Sequence, residues 1–327
     1  MQKVKKKEPT TLDILKDLIS RNREFDIIDL FSDMHAADIA DLIDELDEET
    51  RLQLFSLLDV DKASDVILEL SDTSREQIIE DLSNEQLTDI IEEMDSDDKA
   101  DIIAELSDDQ AKAVLDAIEP EESQEVKELL KYGEDTAGGI MQSELVSVGK
   151  QATINDAFQA VAEAKDDIEN IHNIFVVDEN EKLIGTVPLQ SLITMKRFTP
   201  IVDVIDEDIP SVPYNMDQEE VARIFKKYDL VSIGVVDDQN RLLGRITIDD
   251  VVDAIQEETS EDMYRIAGLG EDDTIFHKTT ESVKKRLPWL LLNLLTALTS
   301  VIVIGFFEDT IKMMVALVFF MPVVAGL

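Results

Sequence analysis

The sequence predicts a multidomain α and α/β protein with an all-helical, superhelical array, a tandem β-α-β-β-α pair, a long connecting helix and the start of a transmembrane helical domain. Three observations predict this fold class: apolar residues recur every 12 positions, a longer motif occurs twice, and an uncharged apolar run lies near the C-terminus. The predicted domains are 1–131 (array), 132–202 (linker and first repeat), 203–256 (second repeat), 257–283 (connecting helix and juxtamembrane segment) and 284–327 (one transmembrane helix and part of a second).

The N-terminal array is predicted from residue 12 to about residue 131, a segment with no Gly and with Pro120 as its single proline. In each 12-residue unit, one apolar residue recurs at the same position. It follows an apolar pair such as Ile78-Ile79, and in most units it precedes an Asp or Ser that can cap the next helix. One short helix cannot bury its apolar face alone, whereas stacked helices can, so we expect a wound helical array. The residues at this spacing are Leu46, Leu58, Leu70, Leu82, Met94, Leu106 and Ile118.

The middle of the chain contains a second motif in two copies. Phe175–Gly185 matches Gly234–Gly244 at an offset of 59, and each copy predicts two strands around a polar turn. Upstream, Val148–Asp156 matches Val212–Glu220 at an offset of 64. An insertion near residues 166–170 of the first copy accounts for the difference of five between the two offsets. Helices are predicted within and after the copies, over Ile154–Lys165, Gln218–Tyr228, Leu189–Met195 and Asp249–Glu257.

The C-terminal region predicts membrane insertion. Leu287–Phe307 is a run of 21 uncharged residues, long enough to cross a hydrocarbon core of about 30 Å. Basic residues at 284–286 precede it and acidic residues at 308–309 follow it, so we expect residues 1–286 on the cytosolic side of the cell (inner) membrane. A second apolar run begins at Met313 and is incomplete at Leu327. We therefore expect a multi-pass protein of which this sequence is a part.

The charge of the chain points to a cationic partner. The net charge is −43, with 73 acidic and 30 basic residues, which argues against nucleic acid as a ligand. Carboxylates bind hard divalent cations such as Mg²⁺ and Ca²⁺, although solubility alone also explains an acidic surface. The sequence has no Cys and three dispersed His residues, so its composition excludes thiolate metal sites and offers no zinc spacing.

The sharpest local signal is a row of acids after the second repeat. Asp250, Asp253 and Glu257 are spaced by three and four residues, which places them on one helix face, where like charges repel unless a cation neutralises them. A solvated helix end explains the same spacing equally well. We find no phosphate-binding loop, nucleophile elbow or metalloprotease helix, and the chain is predicted to be non-enzymatic.

The order of these features resembles the MgtE family of magnesium channel-transporters across essentially the whole chain. Glu134–Met141 reads Glu-Asp-Thr-Ala-Gly-Gly-Ile-Met, two CBS-type repeats follow, and Arg286–Leu295 begins Arg-Leu-Pro-Trp. Phe320–Gly326 is similar to the approach to the family's glycine-rich pore segment. The family's membrane domain has five helices with a late pore aspartate, so we expect this chain to carry no pore residues.

The resemblance implies Mg²⁺ as both ligand and transported ion, and a connecting "plug" helix that closes the pore when Mg²⁺ is plentiful. It also implies a homodimer in the lipid bilayer, formed through the CBS and membrane domains, and ATP as a further ligand of the CBS pair at positions the sequence does not assign. The implied metal-site residues are Asp95, Asp98, Asp101, Gly139 (backbone carbonyl), Asp217, Glu219, Asp229, Asp250, Asp253, Glu258, Glu261 and Asp262.

Two other functions stay open at this point. A membrane-anchored CBS module that binds adenosine nucleotides would use the acids for solubility only. An acidic helical scaffold for protein interactions would respond to neither nucleotide nor cation.

Overall fold

The computed structural model describes residues 10–164, 168, 170–266 and 279–306, and side chains are described for only part of the segment beyond residue 260. The N-terminal part of the described chain is a series of short helices, as predicted. They are α1 (Thr11–Ser20), α2 (Glu24–Ser32), α3 (Ala36–Asp44), α4 (Glu48–Phe55), α5 (Val60–Glu69), α6 (Asp72–Asp81), α7 (Asn84–Glu92), α8 (Ser96–Glu105), α9 (Asp108–Ala117) and α10 (Pro120–Leu129).

The 12-residue period has a local cause at the helix starts. The predicted capping residues occupy N-cap positions, and the Asp47 and Asp59 carboxylates accept the backbone N–H of Thr50 and Lys62 at 3.2 Å and 2.9 Å. Ser83 forms a reciprocal capping box with Gln86. These bonds satisfy N–H groups that the first helical turn leaves free, so each helix begins at a defined residue.

Much of the array is built by packing a helix on the next but one. Helix α3 packs on α5, α5 on α7 and α7 on α9, while α4 packs on α6 and α8 on α10. The apolar pairs of the repeat, such as Ile78-Ile79 and Ile102-Ile103, are buried between these rows. The stacked helices thus bury the face that no single unit can bury.

Three cationic side chains, spaced 24 residues apart, lie inside the array and were not predicted from the sequence. Arg51 and Lys99 are 9% and 6% exposed, and the side chain of Arg75 between them is 18% exposed. Arg51 donates to the carbonyls of Asp44 and Leu46 at the end of the preceding helix, at 3.4 Å and 3.1 Å. Cations favour a helix C-terminus, so Arg51 stabilises the junction between α3 and α4 in a strongly acidic array.

The middle region forms two β-α-β-β-α repeats, which confirms the predicted fold. The first comprises β1 (Ser147–Gly149), α11 (Ile154–Glu163), β2 (Asn173–Val177), β3 (Leu183–Pro188) and α12 (Leu189–Thr194). The second comprises β4 (Ser211–Pro213), α13 (Gln218–Tyr228), β5 (Ser232–Val236), β6 (Leu242–Thr247) and α14 (Ile248–Ile266). In each sheet the first strand pairs parallel to the second, and the second pairs antiparallel to the third.

The two repeats interlock through their linkers. Gln142, before the first repeat, exchanges backbone hydrogen bonds of 2.8 Å and 2.9 Å with Arg245 in β6 of the second. Asp206, before the second repeat, exchanges bonds of 2.8 Å and 3.0 Å with Thr186 in β3 of the first. A Cβ at Gly185 would lie 2.3 Å from the Asp206 carbonyl oxygen, so glycine is required at this crossing.

The second repeat is also bonded to the junction after the array. The Ala137 and Gly138 N–H groups donate to the carbonyls of Met216 and Tyr214, each at 2.7 Å. Apolar side chains of the second repeat, including Phe225 and Ile233, belong to the same buried cluster as the array. The junction therefore holds the array against the second repeat.

The C-terminal part consists of the end of α14 and a helix α15 (Thr279–Phe306). The chain divides into two compact units, of which the first ends at Glu257 and the second begins at Glu258. Among the described residues, no helix combines the length and apolarity that a membrane crossing requires. The span predicted over 287–307 is helical as far as Phe306 but is not confirmed as a crossing, and the second run from Met313 lies outside the described residues.

Candidate functional site

Carboxylates from two distant helices converge at the start of α8 and the first turns of α14. The negative charge of Asp250 acts on both Asp97 and Asp98. That of Asp253 acts on Asp98, and that of Glu257 acts on Asp101. Helix α8 belongs to the array and α14 follows β6 of the second repeat, so the cluster lies where these two parts of the chain meet.

The α8 carboxylates are held in an environment that opposes their charge. Burial, followed by the charges of Asp98 and Asp250, raises the pKa of Asp97 well above its ordinary range. Asp97 is 5% exposed, and its Oδ1 has no hydrogen-bond partner among the described residues. Burial, followed by the charge of Asp250, raises the pKa of Asp98 to about 8. Burial, followed by the charge of Glu257, raises the pKa of Asp101 to about 7.

The pKa values of the α14 carboxylates Asp250 and Glu257 are also raised. Burial raises the pKa of Asp250, although its carboxylate accepts the Thr247 backbone N–H at 3.0 Å and the hydroxyl at 2.6 Å. Burial, followed by Asp253 and Asp72, raises the pKa of Glu257. Ionised carboxylates brought this close repel one another, and an added cation would relieve that repulsion.

Protein cations act on the cluster as well, Arg75 on the Asp101 side and Arg245 on the Asp250 side. Arg75 on α6 donates to Glu105 on α8 at 2.8 Å and to Asp72 at 3.1 Å. Its positive charge also lowers the pKa of Asp101 and Glu257, against larger effects that raise both. Arg75 thus neutralises one edge of the cluster, and on the other edge the charge of Arg245 lowers the pKa of Asp250 against the larger effect of burial.

The donor set fits a hard divalent cation. Carboxylate oxygens are the preferred ligands of Mg²⁺ and Ca²⁺, and Mg²⁺ commonly keeps several waters while it binds one or two carboxylates. Within the described part of the chain, no group of three or more His, Asp or Glu side chains is already arranged to hold a metal ion. Because the carboxylates lie within electrostatic range of one another, a hydrated ion suits them better than a rigid inner-sphere cage.

Several of the predicted site residues meet in this cluster. Asp98, Asp101, Asp250 and Asp253 come together, and the charge of Asp95 acts on Asp97 and Asp98. The predicted site set omitted Asp97, Glu134 and Glu257. Asp97 and Asp101 are four residues apart on one helix, which is the spacing that singled out the α14 acids and could have found this pair.

Other predicted site residues lie outside this cluster, in local structural roles. Asp217 is the N-cap of α13 and accepts the Glu219 N–H at 3.0 Å, while Glu219 pairs with Arg223. Asp229 ends α13 in the left-handed conformation, with φ 52°. These contacts explain the residues without a metal, and their role as ligands stays a prediction.

The remaining predicted site residues are Gly139 and three acids near the end of α14. A Cβ at Gly139 would lie 2.5 Å from the Glu134 carbonyl oxygen, and the Glu134 charge acts on Asp101, so the junction borders the cluster. Glu258 is half-buried and begins the second compact unit. The side chains of Glu261 and Asp262 lie outside the described residues.

Comparisons with known proteins identify the two modules that meet at the cluster. The pattern of the MgtE intracellular N domain matches residues 34–135, and that of the CBS domain matches residues 137–196 and 201–257. The crystal structure of the cytosolic domain of the Mg²⁺ channel MgtE in complex with ATP matches 73% of this chain and 98% of its own, with 32% identity and a TM-score of 0.69. The chain belongs to the MgtE family.

Two curated MgtE relatives each match a little under two thirds of this chain. The magnesium transporter MgtE of Bacillus subtilis is 35% identical over 206 residues, which cover 63% of this chain and 46% of the relative. That of Thermus thermophilus is 32% identical over 209 residues, which also cover 63% and 46%. This chain thus spans about half the length of the curated MgtE relatives it matches, and those relatives are transporters.

Proposed function

We propose that this chain carries the Mg²⁺-sensing gate of a magnesium transporter. The observation that supports this function is the convergence of carboxylates from the MgtE N domain and the second CBS domain around the buried Asp97 and the half-buried Asp98 and Asp250. Asp97 and Asp98 face the charge of Asp250, and Asp97 has a buried oxygen without a partner. A divalent cation bound there would join the two domains.

The mechanism follows from where the carboxylates meet. When Mg²⁺ is scarce, repulsion between the first turn of α8 and the first turns of α14 favours separation of the N domain from the second repeat. Mg²⁺ binds well only where both sets of carboxylates are close, so its binding selects the closed arrangement. Several weak sites would make the response cooperative and suit sensing in the millimolar range.

The remaining steps extend this proposal to the whole transporter. Closure would position the α14 end, with Glu258, Glu261 and Asp262, to plug a pore formed by membrane helices. The chain would then be non-enzymatic and reside in the cell membrane with residues 1–286 on the cytosolic side. Membership of the MgtE family supports these steps, since the matched relatives are named as magnesium transporters.

A homodimer is part of the proposed assembly. Ile193 and Phe198 after β3 of the first repeat are 84% and 87% exposed, and Phe158 and Val202 add exposed apolar surface in the same repeat. Large apolar side chains at such exposure are typical of surfaces that another protein covers. A second copy of this chain, joined through the CBS domains, would bury them.

A second ligand is proposed for the CBS pair. The solved MgtE cytosolic domain in the comparison is in complex with ATP. In this chain, the hydroxyl of Thr186 in β3 is buried without a hydrogen-bond partner among the described residues. An adenosine nucleotide at the pair would make the chain a nucleotide-binding module, with or without cation sensing.

Limited proteolysis of the 327-residue chain tests the cation-sensing function. The chain in detergent solution is digested from zero to about 20 mM Mg²⁺, with KCl adjusted to hold the ionic strength constant. We expect cleavage at the 132–141 junction to become slower as Mg²⁺ rises. Cleavage that is unchanged throughout would overturn the proposal, and calorimetric binding of ATP without any Mg²⁺-dependent protection would favour the nucleotide-binding module.

A further inference from the structure

A second contact between the N domain and the CBS domains lies at the start of α8, and it is made by hydrogen bonds. The Ser96 hydroxyl donates to Glu144 Oε2 at 2.7 Å and accepts the Ser143 backbone N–H at 2.8 Å. The Ser96 backbone N–H also points to Glu144 Oε2, at 3.4 Å. Ser96 is the first residue of α8, so the Ser143–Glu144 segment lies across the N-terminus of that helix.

The Glu144 carboxylate lies against the N-terminus of α8. A helix N-terminus carries partial positive charge, which stabilises a carboxylate placed against it. Ser96 is 2% exposed, so its bonds are shielded from water. On the α10 side, burial and then Glu144 raise the pKa of Glu125, while Lys99 pairs with Glu122 at 3.3 Å.

The contact crosses the boundary between the two matched modules. Ser96 belongs to the N domain pattern at 34–135, and Glu144 belongs to the CBS pattern that begins at 137. Asp97 and Asp98, the next two residues of α8, are those on which the charge of Asp250 acts. A bond that holds the start of α8 against the CBS linker therefore positions the carboxylates that face α14.

We propose that the Ser96–Glu144 contact is a cation-independent latch that positions the first turn of α8 and sets the Mg²⁺ concentration at which the domains close. This inference rests on the proposed function. The latch favours the closed arrangement before any cation binds, so fewer ions are needed to complete closure. Glu144 acts through α8 and is a positioning residue.

Loss of the latch has a calculable effect on the Mg²⁺ response. A hydrogen bond to a charged group contributes enough to change the closed-to-open ratio by about tenfold. If two or three ions bind together, that change raises the Mg²⁺ midpoint by roughly two- to threefold. The signal at saturating Mg²⁺ should equal that of the unmodified chain, because the carboxylates themselves remain.

Energy transfer between two dyes tests the latch on the 327-residue chain. The chain has no cysteine, so Asp109→Cys in the N domain and Glu163→Cys in the first repeat introduce unique labelling sites. Glu144→Ala and Ser96→Ala are each titrated with Mg²⁺ at constant ionic strength. Glu179→Ala, which removes the same charge from an exposed site in the CBS region, is the matched control and should keep the original midpoint.

The outcomes separate the latch from the sensing function. We expect Glu144→Ala to shift the midpoint upward, Glu144→Gln to shift it less, and the Ser96→Ala/Glu144→Ala double variant to shift it no further than either single variant. A Glu144→Ala midpoint equal to that of Glu179→Ala overturns the latch alone. An unmodified chain that shows no Mg²⁺ response overturns the sensing function instead, and the latch with it. Thermal unfolding in saturating Mg²⁺ checks that each variant is folded.

Discussion

The two CBS repeats share one backbone plan but differ in what surrounds them. Their strands pair in the same order and with the same irregularity, at Val176/Val177 in one and Val235/Val236 in the other. The first repeat has a buried cluster of its own, whereas the buried residues of the second are continuous with the array. One repeat is thus a separate core, and the other is an extension of the N domain.

The final helices show why this difference matters. At the offset of 59, Asp250, Asp253 and Glu257 of the second repeat correspond to Ser191, Thr194 and Phe198 of the first. The repeat that packs against the array therefore carries the acids, while the other presents uncharged side chains at the same positions. The comparison teaches that cation chemistry here comes from side chains placed on a shared frame and not from the frame itself.

Neutralising the carboxylates of the second repeat and α8 should have the largest effect. In Asp98→Asn/Asp250→Asn, the repulsion between α8 and α14 is removed and the Thr247 bonds still have an acceptor. We expect the 132–141 junction to be protected without Mg²⁺ and the Mg²⁺-dependent transition to disappear. Asp203→Asn, in the segment between α12 and β4, is the control, and a double variant that keeps the original midpoint would contradict this interpretation.

The interface of the second repeat should also depend on pH in the absence of cations. The folded-state pKa of Asp98 is about 8 and that of Asp101 about 7, both above the usual Asp value near 4. A carboxyl group whose pKa is higher in the folded than in the unfolded chain contributes stability at pH values below its unfolded-state pKa. That contribution is lost as the pH rises through its folded-state pKa. Facing charges come from Asp95, Asp97, Asp250, Asp253, Glu105, Glu134, Glu257 and Arg75.

Differential scanning calorimetry in EDTA checks this dependence. We expect the melting temperature of the transition that includes the array to fall by about 5 °C or more between pH 5.5 and 8.5. Added Mg²⁺ should reduce the fall, since it replaces protons as the neutralising cation. A melting temperature that is flat over this range, or that rises, would be incompatible with repulsion among these carboxylates.

The smallest expected effect lies at the turn where the repeats touch. Glu181 and Asn240 occupy equivalent left-handed positions, with φ of 63° and 64°. Asn240 also donates its side-chain amide to the Leu183 carbonyl at 2.9 Å, which a glutamate cannot do. Glu181→Asn should therefore raise the free energy of unfolding by about 1 kcal/mol, as measured in urea, and Asn240→Glu should lower it by a similar amount. A lower stability for Glu181→Asn would refute the equivalence of the two turns.

The sequence determined the local architecture because its signals are local. Capping residues every 12 positions define the helix starts of the array, and polar turns between β-branched runs define the strands of each repeat. The acidic face of α14 also followed from spacing alone. Even the buried cations were present as a regular pattern, since Arg51, Arg75 and Lys99 are 24 residues apart.

Only the tertiary structure decided which acids meet. Asp98 and Asp250 are separated by the last part of the N domain and nearly all of both CBS repeats, and no periodicity relates residues so far apart. Exposed acids occur along the whole array, and burial at the α8 start distinguishes Asp97 and Asp98 from them. Because burial and approach of like charges raise a pKa only in the folded chain, the sequence could supply the carboxylates but not the place where they repel.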